Sequence, residues 1–507
     1  MRSMMNKLHM KRWLGVPGLM AALLVVAGCS LAPTYEKPDV GAPSAYKETP
    51  QKTLDASEAG TWKTAQPSEE MLRGEWWTIF DDASLNDLEK QAQDANQNLK
   101  AAAARVKEAR AINQTARAGL FPTLDAGFGP TREKFSPASQ FLPANANVPA
   151  QTLWRAQASA SYEVDLFGRV SNSVQAANAD TAQSEALFRS VQLALQADVA
   201  QNYFNLRELD AETDVFTRTV QLREQALKLV QRRFTEGDIS ELDVARAKSE
   251  LATARSDAMT VQRLRAASEH SLAVLLGKTP AEFSMAANPL KPVTIRVPPG
   301  LPSALLERRP DIAAAERAMA AANARIGVAK AAFFPSLTLT GSGGFESATL
   351  GDLFNWSSRT FLLGPFAGTA LNLPIFDGGR RKGNLANARA VYEEDVASYR
   401  QQVLVAFREV EDNLSDLRIL EDQTATQDDA VKYSVRAAQL SRTQYTEGAV
   451  NYLDVIDAER TVLQTQRSSV QLQGLQAVST VNLIRALGGG WGDAKPTPVP
   501  DASLAQK

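Results

Sequence analysis

The stretch RFTEGDISELDVARAKSEL, Arg233–Leu251, recurs in altered form as QYTEGAVNYLDVIDAERTVL, Gln444–Leu463. The sequence LREL at Leu206–Leu209 has a counterpart, LRIL, at Leu417–Leu420, at the same spacing along the chain. Two further pairs are Ala118–Leu124 with Ala331–Leu337 and Asp165–Arg169 with Pro374–Arg380. The small length differences fall at predicted turns, as expected for a duplication, so one unit that occurs twice decides the fold.

Composition excludes several classes of protein. The chain has 507 residues, and its 55 Lys and Arg nearly balance its 57 Asp and Glu, which does not favour a nucleic-acid partner. The mean hydropathy of -0.24 is too low for a bundle of membrane-spanning helices. With only two His and one Cys, neither a zinc site nor an internal disulfide is expected.

The N-terminus has the features of a secretory signal. Basic residues precede an apolar run at Trp13–Val26, which is too short for a spanning helix. The sequence VAGC, Val26–Cys29, resembles a bacterial lipobox, which implies removal of residues 1–28 and N-acyl and S-diacylglycerol groups on Cys29. Ser30 follows, which by the same resemblance implies sorting to the outer membrane. An ordinary signal peptide with an incidental Cys stays open as the alternative, although an odd Cys in a secreted protein is unusual.

Each unit also contains long helices. Apolar residues step by three and four through residues 84–117 and again through 241–276, which predicts two helices with heptad seams rich in Ala. There is neither Pro nor Gly from Val170 to Gln231, so one helix of about 100 Å is expected from Val170 to Phe234. The helices predicted for the second unit span residues 310–332, 380–446 and 450–487.

Strands of alternating polarity are predicted between the helices, at about 119–130, 152–167, 333–345 and 360–375. In the second of these, Trp154 and Tyr162 fall on one face, whereas Arg155 and Glu163 fall on the other. Such strands are long enough to cross a bilayer, and this alternation is typical of a membrane β-barrel. A soluble sheet with one wet face is the alternative, and the secretory signal with its lipidation motif favours the barrel.

Four strands do not close a barrel, and an open sheet edge in lipid leaves backbone groups unpaired. Two chains would supply eight strands, which give a barrel that its own side chains fill. Three chains would supply twelve, which leaves room for a passage. A homotrimer is therefore the smallest assembly that could form a conduit.

Several motifs together resemble those of a known family, the TolC-superfamily outer-membrane efflux channels. They are the lipobox, LFPTL, DLFGR, RFTEG, the run Leu305–Leu337, NYLDVIDAER at Asn451–Arg460 and ALGGGW at the end of the second unit. The lipidation motif makes the chain most similar to the OprM-like lipoprotein branch, over nearly all of Cys29–Trp491. The resemblance implies a mixed α and membrane β fold. Each trimer would form a twelve-stranded β-barrel, four strands per chain, continuous with a long α-helical barrel and an equatorial domain.

The resemblance also implies a domain order. Residues 84–277 form the first repeat and residues 310–490 the second, each with helix, two strands, long helix, tip and helix. The equatorial domain takes residues 29–83 and the linker 278–309, whose Pro content excludes long helices. Residues 491–507 are expected to form a flexible tail.

The repeated TEG sequences mark the two turns, expected at residues 235–240 and 446–451. Gly237 and Gly448 stand where each long helix must stop, and a Gly there adopts the left-handed conformation without steric cost. In the family, these tips meet a periplasmic adaptor protein. The residues that would form this contact surface are Thr235, Glu236, Gly237, Thr446, Glu447 and Gly448.

Polar residues just beyond the second tip match the family's periplasmic gate. By resemblance, Leu453, Asp457 and Arg460 correspond to the constriction of OprM-like channels, and Asp454 and Asp457 to the acidic ring of TolC. Asp243 is the first-repeat counterpart of Asp454. Rings of carboxylates attract cations, and Asp–Arg pairs between helices can latch an opening. For Asp243 and Asp454, a helix-capping role is an equally good alternative, because both lie in a first helical turn.

The resemblance implies a passive exit duct for drugs or other small molecules in the outer membrane, extending into the periplasm. No enzymatic activity and no cofactor are expected, apart from the lipid on Cys29. The expected partners are two further copies of the chain, a periplasmic adaptor, an inner-membrane RND transporter and outer-membrane lipid. A helical spacer lipoprotein and a free-standing porin are alternatives. The alternating strands argue against the spacer, and the long helices argue against the porin.

Overall fold

The structure is a computed structural model that describes residues 30–48, 75–292, 295, 305–306, 308–363 and 371–489. The expected signal peptide 1–28, Cys29, residues 49–74 of the predicted equatorial part, the Pro-rich segment 296–303 and the tail 491–507 lie outside the described residues. The helices in chain order are α1 Ala83–Ala95, α2 Gln97–Ala118, α3 Arg169–Thr235, α4 Glu241–Leu275, α5 Pro310–Ala331, α6 Arg380–Thr446 and α7 Tyr452–Ala486. The strands are β1 Thr123–Glu133, β2 Gln151–Val164, β3 Ser336–Ser347, β4 Arg359–Leu363 and β5 Leu371–Asn372.

The chain divides into two compact units. The strand unit consists of the described residues within Met1–Pro38, Val106–Ser184 and Ala315–Tyr399. The tip unit consists of the described residues within Asp39–Arg105, Glu185–Ala314 and Arg400–Lys507. The long helices α3 and α6 each have 67 residues and lie within one residue of the predicted ends. None of the helices in the described ranges carries an apolar stretch long enough to span a bilayer.

The strand unit is organised by one antiparallel sheet in the order β1-β2-β3-β4, and β5 also pairs with β3. The register places Phe128, Ala156 and Phe345 side by side on one face. The opposite face carries Arg155, whose guanidinium lies 3.0 Å from Glu133 on β1 and 2.8 Å from Glu346 on β3. The sheet therefore has one apolar and one polar face, as the alternation of the sequence predicts.

The first two strands begin and end differently from the prediction. β1 starts at Thr123 rather than near residue 119, because α2 continues to Ala118 and a turn follows. β2 ends at Val164 rather than residue 167, because the carboxylate of Asp165 caps α3. One oxygen of Asp165 accepts the backbone N–H of Val170 at 2.9 Å. Asp165 thus caps the N-terminus of α3 and is not part of the polar face of β2.

The last two strands also differ from the prediction. β3 starts at residue 336 instead of 333, since the turn after α5 extends through Phe334. The strand expected at 360–375 is present as β4 and β5, and residues 364–370 between them lie outside the described residues. Both segments pair with β3.

The single helix predicted over residues 84–117 is wrong, because Asn96 divides it into α1 and α2. Asn96 has an extended backbone, with φ -60° and ψ 127°. Its side-chain oxygen accepts the N–H of Leu99 at 3.0 Å, and its side-chain nitrogen donates to the carbonyl of Leu275 at 2.9 Å. The break is therefore fixed by a helix cap and by a bond to the end of α4.

The N-terminal segment of the strand unit lies against its helices. Ser30 donates its hydroxyl hydrogen to Asn172 at 3.1 Å, and Asn323 donates to the carbonyl of Pro33 at 2.9 Å. A Cβ at Gly327 would lie 2.8 Å from the Cβ of Ala32, so only Gly allows this close approach. The first described residues are thus fixed beside the start of α3.

The core of the tip unit surrounds α1 and the middle of α3. Leu85, Leu206 and Leu272 are fully buried there, beside Trp76 and Tyr203. The same core contains residues of α7, which brings both repeats into one apolar cluster. The helices of the tip unit therefore pack through small and medium apolar side chains, as their heptad seams predict.

Glu89 on α1 is a titratable residue buried beside this apolar core. It is fully buried, and neither of its carboxylate oxygens has a hydrogen-bond partner among the described residues. Burial raises the pKa of Glu89 to about 9. The neutral form of Glu89 is therefore favoured in the folded protein. The folded state loses stability as the pH rises from 4.5, the ordinary pKa of a Glu, toward about 9, because the buried carboxylate must then ionise.

We predict that Glu89→Met is more stable than the wild type by about 1–3 kcal/mol at pH 8, because an unsatisfied buried polar group is removed. The advantage should shrink at about pH 4, below the ordinary Glu pKa of 4.5, where Glu89 is neutral in the folded chain and largely neutral in the unfolded chain. Guanidinium unfolding followed by circular dichroism measures both values. Asp87→Asn, at an exposed position of α1, is the control and should change little. A variant that is less stable at both pH values would contradict the prediction.

Candidate functional site

The two helix–turn–helix tips end in the same backbone motif. Gly237 and Gly448 have φ of 87° and 81°, in the left-handed region. The N–H of Asp238 donates to the carbonyl of Arg233 at 2.9 Å, and that of Ala449 donates to Gln444 at 2.8 Å. These are the hydrogen bonds of a Schellman cap, which satisfies the last carbonyls of α3 and α6. The repeated TEG sequence is therefore explained by its helix end.

The predicted adaptor-contacting residues all lie at these turns and are exposed. They are Thr235, Glu236, Gly237, Thr446, Glu447 and Gly448. A Cβ at either Gly would meet no atom within 4 Å, so the conformation of the backbone and not the available space requires Gly. The turns thus present short polar side chains on a fixed backbone.

The two tips of one chain pack against each other. The rings of Tyr445 and Tyr452 lie 5.4 Å apart, and the guanidinium of Arg233 lies 4.9 Å from the centre of the Tyr445 ring. Val230 and Ile456 are buried in the same cluster. Burial raises the pKa of the Tyr452 hydroxyl to about 12. The first-repeat tip and the second-repeat tip therefore form one apolar body inside the tip unit.

Asp454 lies in a capping box at the start of α7. Its carboxylate accepts the backbone N–H of Asn451 at 3.0 Å, and the side chain of Asn451 accepts the N–H of Asp454 in return. Its counterpart Asp243 lies 3.5 Å from the guanidinium of Arg246 in the first turn of α4. The contacts of Asp454 are those of a helix cap, the alternative that the sequence left open, whereas Asp243 forms an ion pair along its helix.

The other three predicted gate residues lie exposed on α7. Leu453 is 42% exposed. Arg460 lies 3.6 Å from Asp457, one turn away on the same helix. The Nε of Arg460 also donates to a carboxylate oxygen of Glu250 on α4 at 3.1 Å. Arg460 therefore joins the second repeat to the first.

Glu250 is the residue of this cluster that the sequence analysis missed. It is almost fully buried, and its other carboxylate oxygen lies 3.0 Å from Arg223 on α3. Arg223 also donates to the backbone carbonyl of Glu250 at 2.6 Å. One carboxylate thus links α3, α4 and α7. We refer to Arg223, Glu250 and Arg460 as the tip latch.

A signal for Glu250 is present in the sequence. Asp243, Glu250 and Asp257 recur at heptad spacing on α4, beside its apolar seam. Acidic residues in such flanking positions often face basic residues of the neighbouring helix. Which basic residue they face depends on packing between repeats, and this is a long-range feature that local spacing does not reveal.

The charged groups at the tips are arranged to hold helices together. Among the residues that the structure describes, no three His, Cys, Asp or Glu side chains are grouped so that they could hold a metal ion. The charged groups of the tip latch are paired between helices, and such pairs can hold or release a helix. Within the tip latch, Arg223 and Glu250 are both buried, so removal of one side chain would leave the charge of the other uncompensated.

Comparison with known proteins places these features in a family. The sequence profile described as "Outer membrane efflux protein" matches residues 88–278 and 301–489, one range in each repeat. The chain is 35% identical over 481 residues to the toluene efflux pump outer membrane protein TtgF of Pseudomonas putida, covering 94% of this chain and 98% of that protein. It is 32% identical over 470 residues to the cation efflux system protein CusC of Escherichia coli, covering 92% and 97%. The open state of the MtrE outer membrane channel of Neisseria gonorrhoeae superposes with a TM-score of 0.76 at 30% identity, covering 91% of this chain and 98% of that one.

We predict that Gly237→Ala and Gly448→Ala each destabilise the tip by about 1–3 kcal/mol, because a Cβ is strained in the left-handed region. Hydrogen exchange at the amides of Asp238 and Ala449, which donate the cap bonds, should become correspondingly faster.

Gly383→Ala is the matched control for these variants. Gly383 lies inside α6, has open space around it and does not have a positive φ. Replacement there should be neutral or stabilising. Equal effects at all three Gly would show that the left-handed cap is not the cause.

Proposed function

The chain belongs to the outer membrane efflux protein family and is an outer-membrane exit duct, and we propose that three copies close one duct with a gate at the helix tips. The observation that carries this proposal is the sheet of the strand unit. It has one apolar face for lipid and one polar face for an aqueous interior. Solutes would pass through the interior without chemical change.

The edges of the sheet support the assembly of several chains. Within the described residues, β1 pairs only with β2, and β4 pairs only with β3. A bilayer offers no water to hydrogen-bond the free edges of β1 and β4, so another chain must pair with them. Three chains with four strands each would close a barrel that is wide enough for a passage.

The helices of the tip unit support the same assembly. Met259 on α4, and Leu404 and Tyr433 on α6, are each more than half exposed in the single chain. Single apolar residues on a protein surface are common. These three, however, lie on helices whose opposite faces pack against other helices of the same chain. We propose that neighbouring chains cover them in the trimer.

We propose that a periplasmic adaptor engages the two TEG tips and that an inner-membrane RND transporter supplies the cargo. The support for the adaptor contact is the exposed, backbone-fixed surface at Thr446 and its first-repeat counterpart, together with family membership. Such a surface can be bound without reorganising its backbone, which lowers the entropic cost of association.

We further propose that Cys29 carries the lipid anchor. Ser30, the next residue, lies beside Gly168 and Asn172 at the junction of β2 with α3. A lipid on Cys29 would therefore sit at the helix end of the sheet, where a membrane boundary is expected. Two or more acyl chains are enough for stable anchoring.

We propose that Leu453, Asp457 and Arg460 form the gate and that the tip latch holds it closed. Adaptor binding would move α7 and break the bond between Arg460 and Glu250. Asp243 and Asp454 would act mainly on the ends of their helices, and their charges would add to an acidic entrance.

We predict that Arg460→Ala raises the open probability of the purified channel in planar bilayers by about fivefold, because α7 loses an ion pair whose Arg is 57% exposed and which is therefore worth about 1 kcal/mol. Asp457→Ala should also raise conductance and weaken cation preference, since a carboxylate leaves the constriction. Arg436→Ala, at an exposed position of α6, is the control. Unchanged channels in the Arg460 and Asp457 variants would remove both residues from the gate.

We predict that Thr446→Cys, used with a short thiol-reactive crosslinker in cells, captures the periplasmic adaptor. Thr217→Cys, at an exposed position on α3 well before the tip, should not capture it. Mass spectrometry identifies the partner. Equal capture at both positions, or none at Thr446, would contradict contact through the tips.

A further inference from the structure

A stripe of residues at heptad spacing runs along α7 from the tip inward. Its members are Leu453, Arg460, Arg467 and Gly474. Residues at this spacing lie on one face of a helix. Arg460 belongs to the tip latch, and Arg467 lies one heptad further from the tip.

Arg467 forms a second contact between the repeats. Its Nε donates to a carboxylate oxygen of Glu212 on α3 at 3.1 Å, and Gln471 donates to the same oxygen at 2.6 Å. Glu212 is only 2% exposed, so its carboxylate depends on these two donors, although the side chain of Arg467 itself is 40% exposed. The guanidinium of Arg467 also lies 5.9 Å from the centre of the Phe216 ring.

Glu208 lies one turn before Glu212 on α3 and packs directly on the backbone of α7. A Cβ at Gly474 would lie 2.6 Å from the Cγ of Glu208 and 3.0 Å from its Cβ. Gly474 therefore leaves the space into which the side chain of Glu208 fits. Two carboxylates one turn apart repel each other, and one Arg lies between the helices to compensate them.

We propose that Glu208, Glu212 and Arg467 form a second ionic layer, which holds α7 against α3 and must separate when the tip opens. The proposal rests on the proposed function, because it takes movement of α7 as the opening step. Glu208 and Gly474 are positioning residues of this layer. They set how closely α7 lies on α3 and do not touch the cargo.

The protonation of Glu208 gives the layer a measurable signature. Burial, together with the charge of Glu212, raises the pKa of Glu208 to about 7, although Arg467 on α7 acts in the opposite direction. When α7 moves away, Glu208 meets water and its pKa returns toward 4.5, the ordinary value. The neutral form therefore favours the docked helix. This preference is complete below the ordinary value and is lost as pH rises through about 7.

Single-channel recording of the purified channel in planar bilayers, from about pH 5 to pH 8, tests the layer. The open probability of the wild type should rise by about tenfold or more over this range, since each pKa unit corresponds to a factor of ten. Glu208→Gln keeps the shape of the side chain and should abolish most of this rise. Asp214→Asn, which removes an exposed carboxylate of the same helix, should behave as the wild type does.

A second variant, Gly474→Ala, tests the packing of α7 on Glu208 without changing any charge. Gly474→Ala should raise the open probability at all pH values, because its methyl group displaces α7 from Glu208. Channels that conduct with the same pH profile in Glu208→Gln as in the wild type would overturn the second layer and leave the proposed function intact. Wild-type protein that inserts but conducts at no pH would instead contradict the proposed function.

Discussion

The hydrogen-bonding groups at the two free edges of one small sheet constrain everything else in this molecule. β1 and β4 are the ends of the sheet in the described chain, and their apolar face suits a bilayer. Lipid offers no partner for an unpaired backbone N–H or C=O, and each such group costs several kcal/mol there. A single chain is therefore incomplete in the membrane. The incompleteness follows from the duplicated unit, since each copy supplies only two strands, and it explains why the function belongs to an assembly and not to any side chain.

The apolar seams of the helices are too uniform to specify a single relative position of neighbouring helices. Ala recurs along the seams of α2 and α4, and similar small side chains allow close but interchangeable packing. Two of the specific polar contacts lie between the repeats. Arg460 reaches Glu250, and Arg467 reaches Glu212, so two bonds of α7 end on helices of the first repeat. In each pair a buried carboxylate meets an Arg that is 57% or 40% exposed, so the pair adds little net stability, but removal of the Arg leaves the buried carboxylate uncompensated. In the gate that we propose, these bonds hold α7 in one position and their loss would release it.

The sequence predicted the parts of the fold that depend on local pattern. The repeat, the alternation of β2 and the length of α3 could be read directly, because the period of the apolar residues reports the element. The break at Asn96 could not, since its cause is a bond to the carbonyl of Leu275, far away in the sequence. Asp454 was identified as a candidate in two roles, and its capping box with Asn451 is a local signal that favours one of them. Glu250 was missed because its partners, Arg223 and Arg460, come from two other helices.

The trimeric duct that we propose follows from one requirement, that three sheets with open edges become one closed wall. Native mass spectrometry of the protein released from detergent micelles tests this most directly. A closed twelve-stranded wall predicts a single folded species with the mass of three chains. A folded species with the mass of one chain, stable on dilution in detergent, would contradict it.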